Sequence, residues 1–339
     1  MKPSFNANFL RASIALALVA MALFVSPARA QSTLYWAGGT TNITDGTTIP
    51  TNFTTLSGNW DLTTKNFATA TNGATYQAWS NGSIFSGYFG GWSAAYTTEY
   101  SRITNTANVD VSGFSTVIDK GVGSGNKWAT MGADSARTIT LLSGTIIDVR
   151  GGEANIASDS SGINMGLWIN QTGTNVTLAG SGGFTKTGNY AFRLSGSHDG
   201  LTGTVNILHN GRASLDNNAP GRVILSGSLA GITNFNISAS GFAAGTATAL
   251  GSTAGFNVSD TSDNQLNDAA VVNLAGVGIF QFTGANGSTE TIGSLRLASA
   301  GILNLSEAGG TGILAITNGI IRANDRAQLS VQLTSAGTN

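Results

Sequence analysis

Short segments of alternating apolar and polar residues run along most of the chain. From Asn175 onward, apolar–x–apolar triplets recur between turns rich in Gly, Asn, Asp and Ser. The triplets are Val176–Leu178, Phe192–Leu194, Val205–Ile207, Ala213–Leu215, Val223–Leu225, Phe235–Ile237, Phe256–Val258, Val272–Leu274, Phe280–Phe282, Leu295–Leu297, Leu303–Leu305, Leu314–Ile316 and Leu329–Val331. A period of two indicates strands with one buried face, and Val, Ile, Leu and Phe suit that face. The pattern predicts an all-β fold.

The spacing of the triplets selects among all-β architectures. Successive triplets begin 8 to 21 residues apart, which is too irregular for the fixed blades of a propeller. Irregular spacing suits a right-handed parallel β-helix, a solenoid in which stacked coils bury a continuous apolar column. A β-sandwich, which also has short strands and frequent turns, is the alternative fold. Asn residues at the centre of several triplets predict side-chain ladders along such a stack.

The segment 31–100 differs from the rest because it is rich in aromatic residues, including Trp36, Trp60, Trp79 and Trp92. Two interpretations apply. Trp36, Trp60 and Trp79 are candidate glycan contacts if their rings line a groove. Alternatively, the segment is an N-terminal cap, since the first coil of a solenoid needs an atypical cover. We favour the cap, with the β-helix repeats running over 101–339.

Residues 1–30 have the features of a secretory signal peptide. Lys2 and Arg11 give a positive start, an apolar run of fourteen residues follows over Ala12–Val25, and Ala28-Arg29-Ala30 supplies a small-x-small cleavage pattern. A membrane-spanning helix needs about 20 apolar residues, so the run is short for an anchor. The sequence therefore predicts export, with Gln31 as the first mature residue.

Composition narrows the class of protein further. Charged residues make up 10% of the chain, against about 25% in typical domains. Without Lys2, Arg11 and Arg29, 13 of the 16 basic residues remain against 17 acidic ones, a balance of −4. With no basic patch, nucleic acid is not an expected partner. The chain contains no cysteine, and its length allows a core that needs no disulfides.

The stretch Gly180–Val205 reads GSGGFTKTGNYAFRLSGSHDGLTGTV and resembles the autotransporter-associated β-strand repeat. The residues that fit the pattern are Gly180, Gly182, Thr185, Lys186, Gly188, Leu194, Ser195, Gly196, Thr202, Gly203, Thr204 and Val205. Phe184, Ala191 and Leu201 depart from it. The segments Asp263–Leu274 and Glu290–Leu295, and the Trp-bearing opening of the chain, are also similar to proteins of this family.

The resemblance implies a passenger-like β-helix exported by a bacterium with a Gram-negative-type envelope. Such a protein is displayed at the cell surface or secreted, and serves as a scaffold or adhesin. Its ligand is not specified and is expected to be a glycan or a protein. The resemblance also implies outer-membrane anchoring through a C-terminal region that is missing from this sequence.

Candidate chemistry is sparse. A polysaccharide-active β-helix enzyme is the alternative function, and it needs two or three acids on one face of adjacent coils. The candidates, which are Asp199, Asp216, Asp260, Asp263, Asp268 and Glu290, each suit a turn, where Asp bonds its own backbone. His198 and His209 are the only histidines, and a zinc site would need acids beside them. We therefore predict no catalytic residues, no metal and no cofactor.

Overall fold

The computed structural model describes residues 31–38, 57–70, 75–89, 98–118, 126–151, 165–171, 175–209, 221–239, 255–259, 265–276, 278–308 and 312–334. Contacts divide the chain into two units, Met1–Ser32 and Thr33–Asn339, and all the described strands belong to the second. The predicted signal peptide and the triplet Ala213–Leu215 lie outside the described residues. Within those residues, no helix has the length and apolar character needed to span a membrane.

The described strands form three sheets. Sheet A contains β1 (Thr33–Trp36), β3 (Phe67–Ala68), β4 (Tyr76–Gln77), β5 (Ser83–Phe89), β7 (Val109–Ile118), β9 (Arg137–Gly151), β11 (Val176–Ala179), β12 (Phe184–Thr187), β14 (Gly203–His209), β16 (Ile232–Ala239), β18 (Val271–Ala275), β21 (Ser294–Leu297) and β24 (Ile320–Arg322). Sheet B contains β2 (Gly58–Trp60), β6 (Thr98–Asn105), β8 (Asn126–Ala133), β10 (Met165–Ile169), β13 (Ala191–Ser197), β15 (Arg222–Ser228), β17 (Gly255–Ser259), β19 (Gly278–Ala285), β22 (Ala300–Ala308) and β25 (Gln328–Thr334). Sheet C pairs β20 (Thr289–Ile292) with β23 (Ile313–Ile316).

From β5 onward successive strands alternate between sheets A and B, except that β11 and β12 both belong to sheet A and that β20 and β23 form sheet C. Neighbouring strands of a sheet in this part pair in parallel, and they follow one another in chain order except that β11 and β12 both pair with β9. The antiparallel pairs among the described strands are β1 with β3 and β3 with β4. The prediction of an all-β fold is confirmed, and its long sheets are parallel.

One hydrophobic core is shared by sheets A and B. Its side chains align across neighbouring strands, as in Phe184, Val205, Phe235, Val272 and Leu295 of sheet A, and Phe192, Val223, Phe256, Phe280 and Leu303 of sheet B. All ten are buried, and burying one such side chain contributes roughly 1.5–3 kcal/mol. The Phe235 ring stacks on that of Phe256 with centroids 4.7 Å apart, which joins the two sheets.

The centres of the triplets form an asparagine ladder on the other face of sheet A. Asn236 donates its side-chain N–H to Asn206 Oδ1 at 2.8 Å, and Asn273 donates to Asn236 Oδ1 at 2.8 Å. The three residues are register partners on β14, β16 and β18. The predicted ladder is therefore confirmed. Each amide satisfies its neighbour, which fixes the register of these parallel strands.

Aromatic rings fill the N-terminal end of the core. Trp60 is fully buried, and its ring centroid lies 4.9 Å from those of Trp79 and Phe85. Trp36 and Phe67 join the same cluster with centroids 5.2 Å apart. Because β3 and β4 run antiparallel to their neighbours, they interrupt the parallel order at this end of sheet A.

Several core-type side chains at the opposite end of the described core are exposed. We call β23, β24 and β25 the terminal layer. Ile320 aligns with Leu295, and Val331 aligns with Leu303. Ile320 and Val331 are 51% and 54% exposed, whereas Leu295 and Leu303 are 0% and 5% exposed. Leu333 is 80% exposed. The terminal layer thus presents core-type side chains with no layer beyond it among the described residues.

Candidate functional site

The glycines of the repeat-like segment lie where neighbouring strands approach closely. A Cβ on Gly180 would lie 2.2 Å from the Leu141 carbonyl oxygen. Gly188 has φ +81°, and a Cβ there would lie 2.2 Å from the Val149 carbonyl oxygen. Only glycine fits such positions without shifting the backbone. Gly180 and Gly188 are therefore accounted for by packing between β9 and the turns that follow β11 and β12.

The other motif residues occupy alternate faces of their strands. Leu194 and Val205 are fully buried in the core, whereas Thr185 and Ser195 face outward and are half-buried. Gly182, Gly196 and Gly203 belong to the same segment, and the last two have positive φ. The segment therefore builds strands and turns, and it does not assemble an exposed set of reactive groups.

Lys186 is the unusual member of the motif because it is fully buried. It occupies an inward position aligned with Ile207 of β14. Its Nζ donates to the carbonyl oxygens of Thr187 at 2.5 Å and Gly188 at 3.2 Å. Burial lowers the pKa of Lys186 to about 7, and the nearby Asp148 carboxylate opposes that shift. The Lys186 amine therefore stabilises the turn at Gly188 from the core side.

His198 is also buried and bound to the backbone. Its Nδ1 accepts the Leu178 N–H at 3.1 Å, so the side chain connects β11 to the turn after β13. Burial lowers the pKa of His198 to about 4, although the Ser195 carbonyl and the Asp199 carboxylate oppose the shift. The side chain of His209 lies outside the described residues. In the part of the chain that is described, no three His, Cys, Asp or Glu residues are grouped to hold a metal ion.

Two of the three candidate acids that can be placed bind turns. Asp199 accepts hydrogen bonds from the hydroxyls of Ser197 and Ser228 and from the Ala230 N–H. Glu290 is fully buried and accepts the N–H groups of Gln265 at 2.8 Å and Leu266 at 3.1 Å. Asp268 is exposed. Asp216, Asp260 and Asp263 lie outside the described residues.

The candidate glycan contacts Trp36, Trp60 and Trp79 are 3%, 0% and 4% exposed. Their rings pack against one another and against Phe67 and Phe85, so none presents a face on which a sugar could stack. Trp79 also donates its indole N–H to the Asp110 carbonyl at 3.3 Å. The groove interpretation is overturned for these three residues because hydrophobic packing covers them. Trp92 lies outside the described residues.

A surface cluster that the sequence did not reveal lies on the outward face of sheet B. Trp168 is half-buried on β10, and Arg193 on β13 places its Cζ 4.0 Å from the centroid of that ring. Trp128 contacts the same ring edge-to-face at 5.4 Å. The indole N–H of Trp168 donates to Ser195 Oγ at 2.9 Å, and Ser195 Oγ lies 2.8 Å from Ser226 Oγ. These contacts span four neighbouring strands of the sheet.

A shallow pocket adjoins this cluster, since Thr130 of the pocket is the register partner of Trp168. Its polar lining includes Arg102, Thr104, Thr130 and Gln171. The Gln171 Oε1 atom is buried and has no hydrogen-bond partner among the described residues. Asn170, with φ 62°, anchors the turn beneath Gln171 by donating to the Val176 and Ser195 carbonyls. Hydroxyls, an amide and a guanidinium beside an indole can hydrogen-bond a polar ligand.

Alternation in Leu167-Trp168-Ile169 and Phe192-Arg193-Leu194 places Trp168 and Arg193 on outward faces. The sequence does not show that they are neighbours, because that depends on the register of two strands joined by a long connection. No protein-family model, curated protein or solved structure matches the chain. The resemblance to the autotransporter-associated repeat therefore stays a prediction based on the motif residues.

Proposed function

We propose that this protein is an exported, right-handed parallel β-helix that acts as a non-catalytic scaffold or adhesin at the surface of a bacterium with a Gram-negative-type envelope. The observation that carries the proposal is the alternation of the chain between two parallel sheets around one shared core. In a β-helix each passage through both sheets is one coil, and stacked coils bury a continuous column. Such a stack provides an extended surface, and a scaffold or adhesin of this kind needs no reactive centre.

The aromatic segment 31–100 serves as the N-terminal cap in this proposal. The buried cluster around Trp60 covers the first end of the core, and β3 and β4 replace the next parallel coil with antiparallel strands. Terminal segments of repeat proteins are expected to differ from the repeats in this way.

The buried ionisable groups support a structural role. Lys186, His198 and Glu290 each use their polar atoms to bind backbone groups of neighbouring turns. A group engaged in this way stabilises the turn geometry that lets one coil follow another. This arrangement favours the scaffold over a polysaccharide-cleaving enzyme.

Export is tested by expressing residues 1–339 in a Gram-negative host and determining the N-terminus of the protein outside the cytoplasm. Recognition of Ala28-Arg29-Ala30 predicts a product that begins at Gln31. Replacing Ala28 and Ala30 with Asp should block processing, whereas Ser32→Asp, just after the predicted cleavage site, serves as the control. A wild-type chain that stays in the cytoplasm with residues 1–30 attached would overturn the proposed export.

A second candidate function is carbohydrate binding, which the Trp168–Arg193 cluster and its adjoining pocket favour. An indole and several hydrogen-bond donors on one surface are suited to a sugar. A glycan array probed with the wild type, Trp168→Ala and Arg102→Ala tests this function, and Arg296→Ala on sheet A is the control. Loss of signal only in the first two variants supports glycan binding. Equal signals in all four proteins exclude this surface as the site.

A further inference from the structure

We propose that the pocket beside Trp168 binds a sugar that carries a carboxylate, as the uronic acid residues of acidic polysaccharides do. The inference rests on the carbohydrate binding proposed above for this surface, and it adds that the sugar is acidic. It begins from two groups in one pocket, the guanidinium of Arg102 and the buried side-chain carbonyl of Gln171. The pocket volume is about 160 Å³, whereas one water needs about 10–15 Å³, so the pocket admits a larger polar ligand.

Three neighbouring strands of sheet B position the site. Arg102 of β6, Thr130 of β8 and Trp168 of β10 are register partners and form one row across the sheet. Neighbouring strands lie about 4.8 Å apart, so the backbones of Arg102 and Trp168 are separated by about 10 Å, with Thr130 between them. A ligand that lies along this row can contact a guanidinium at one end and an indole at the other.

Arg102 supplies the charge that selects an anion. Its side chain is exposed, and within the described part of the chain no carboxylate forms an ion pair with it. A guanidinium binds a carboxylate through two parallel N–H···O bonds, a geometry that a single hydroxyl lacks. The whole chain has a net charge of −1, so overall charge does not attract a polyanion, and the local contact with Arg102 must do so.

Gln171 supplies the acceptor that a sugar hydroxyl requires. Its Oε1 atom is buried without a hydrogen-bond partner among the described residues, so a ligand that donates a hydroxyl to it gains affinity. Trp168 already donates its indole N–H to Ser195 Oγ, and it therefore offers apolar surface to the C–H groups of a sugar. A uronic acid residue has all three matching features, which are a carboxylate, hydroxyls and apolar C–H groups.

Acidic side chains do not cancel the charge of the pocket. Three described acids follow strands at the same end of sheet B, and they are Asp61, Asp134 and Asp199. None of them lines the pocket. Asp134 is paired with Arg137 at 3.3 Å, and the other two accept hydrogen bonds from nearby hydroxyls and backbone N–H groups. Arg102 is thus the charged side chain among the residues that line the pocket.

The test compares matched acidic and neutral ligands by isothermal titration calorimetry. Oligosaccharides of galacturonate and of alginate supply the carboxylates, and the same oligosaccharides with their carboxyl groups reduced to alcohols are the neutral counterparts. The wild type should bind an acidic oligosaccharide about tenfold or more tightly than its reduced form, because reduction removes a charge-assisted hydrogen bond. Arg102→Gln should lose this preference, whereas Arg296→Gln, at an exposed position of sheet A, should keep it.

Gln171→Leu is a second variant, which leaves the guanidinium in place. It should bind the acidic oligosaccharide more weakly than the wild type does, and NaCl should still weaken that binding. Arg102→Gln should instead reduce the dependence of the dissociation constant on NaCl, because the screened charge is gone. Circular dichroism confirms that each variant keeps its β signal.

The inference is overturned if the acidic oligosaccharides do not bind the wild type, if they bind no better than their reduced forms, or if Arg102→Gln binds them as the wild type does. Carbohydrate binding still stands in these cases if the glycan array gives a signal that Trp168→Ala abolishes. Without such a signal, both proposals fail. Poly-glutamate that binds as tightly as the oligosaccharides would also overturn the inference, in favour of an acidic peptide.

Discussion

The buried amine of Lys186 makes stability depend on pH in a way that can be calculated. The pKa of Lys186 is lowered from 10.5 to about 7 by burial. Between these two values the unfolded chain holds a proton that the folded chain releases. Protonation therefore favours unfolding, and stability must rise as the pH increases from 7 toward 10.

The size of the effect follows from the difference between the two pKa values. One pKa unit corresponds to about 1.4 kcal/mol, so complete protonation of Lys186 disfavours the folded state by about 5 kcal/mol. Most of this penalty is recovered between pH 7 and pH 10. The neutral amine still has two N–H donors, which match the two carbonyl oxygens of Thr187 and Gly188.

Lys186→Met isolates this contribution, because methionine fills a similar volume and does not titrate. The carbonyls of Thr187 and Gly188 lose their donor, and each unsatisfied group costs about 1–3 kcal/mol. At pH 7 this loss offsets the relief from the buried charge, and we expect wild type and variant to be similarly stable. At pH 10 the wild type should be more stable by several kcal/mol.

The assay is urea unfolding of both proteins at pH 7, 8.5 and 10, followed by circular dichroism. The other groups that titrate in this range are common to both proteins, so the difference between them reports Lys186. Lys65→Met is the matched control, since the side chain of Lys65 is exposed. Parallel pH profiles for wild type and Lys186→Met would refute the argument that a titrating amine is buried at this position.

Three further substitutions test the packing. Ile237→Asp places an unpaired charge in the core and should lower the free energy of unfolding in urea by several kcal/mol. The control, Thr233→Asp on the exposed side of β16, should have little effect. Unchanged protease resistance in Ile237→Asp would disprove the register. In the wild type the lowered pKa of His198 means that only the unfolded chain gains a proton between pH 6.5 and pH 4, so the free energy of unfolding falls as the pH decreases. His198→Gln should reduce this fall. An equally steep fall in the variant would contradict the argument. Asn236→Ala breaks the ladder between Asn206 and Asn273 and should lower the free energy of unfolding by about 1–3 kcal/mol. Asn234→Ala on the same strand should have a smaller effect. Equal effects of the two substitutions would argue against the ladder.

The sequence predicts the strands well because alternation is a local property. Phe235-Asn236-Ile237 has two buried residues around an outward one, and the structure retains this arrangement. The asparagine ladder could be predicted for the same reason, since aligned triplets bring their central residues together. Lys186 stands two residues after the buried Phe184, so the period of two already places it inward.

The candidate site could not be predicted because it depends on register between strands. Trp168 meets Arg193 only because β10 pairs with β13 with Trp168 opposite Arg193. The alternation of apolar residues fixes the face on which Trp168 and Arg193 lie, but it does not distinguish this register from one shifted by two residues. Trp60 shows the converse case, because its hydrophobicity is equally consistent with a covered core and a sugar-binding platform. Only the packing of neighbouring rings decides between them.

The strand order has a mechanical consequence. Hydrogen bonds between successive strands of a sheet point from one layer to the next, so a pulling force along that direction loads them one ladder at a time. Strands that are pulled apart in this peeling geometry separate at low force, one ladder after another. Aligned core positions from Phe184 to Leu295 of sheet A are 21 to 37 residues apart, as from Phe184 to Val205 and from Phe235 to Val272. Each step should therefore release roughly 7–13 nm of chain, and single-molecule stretching should show a sawtooth with that spacing.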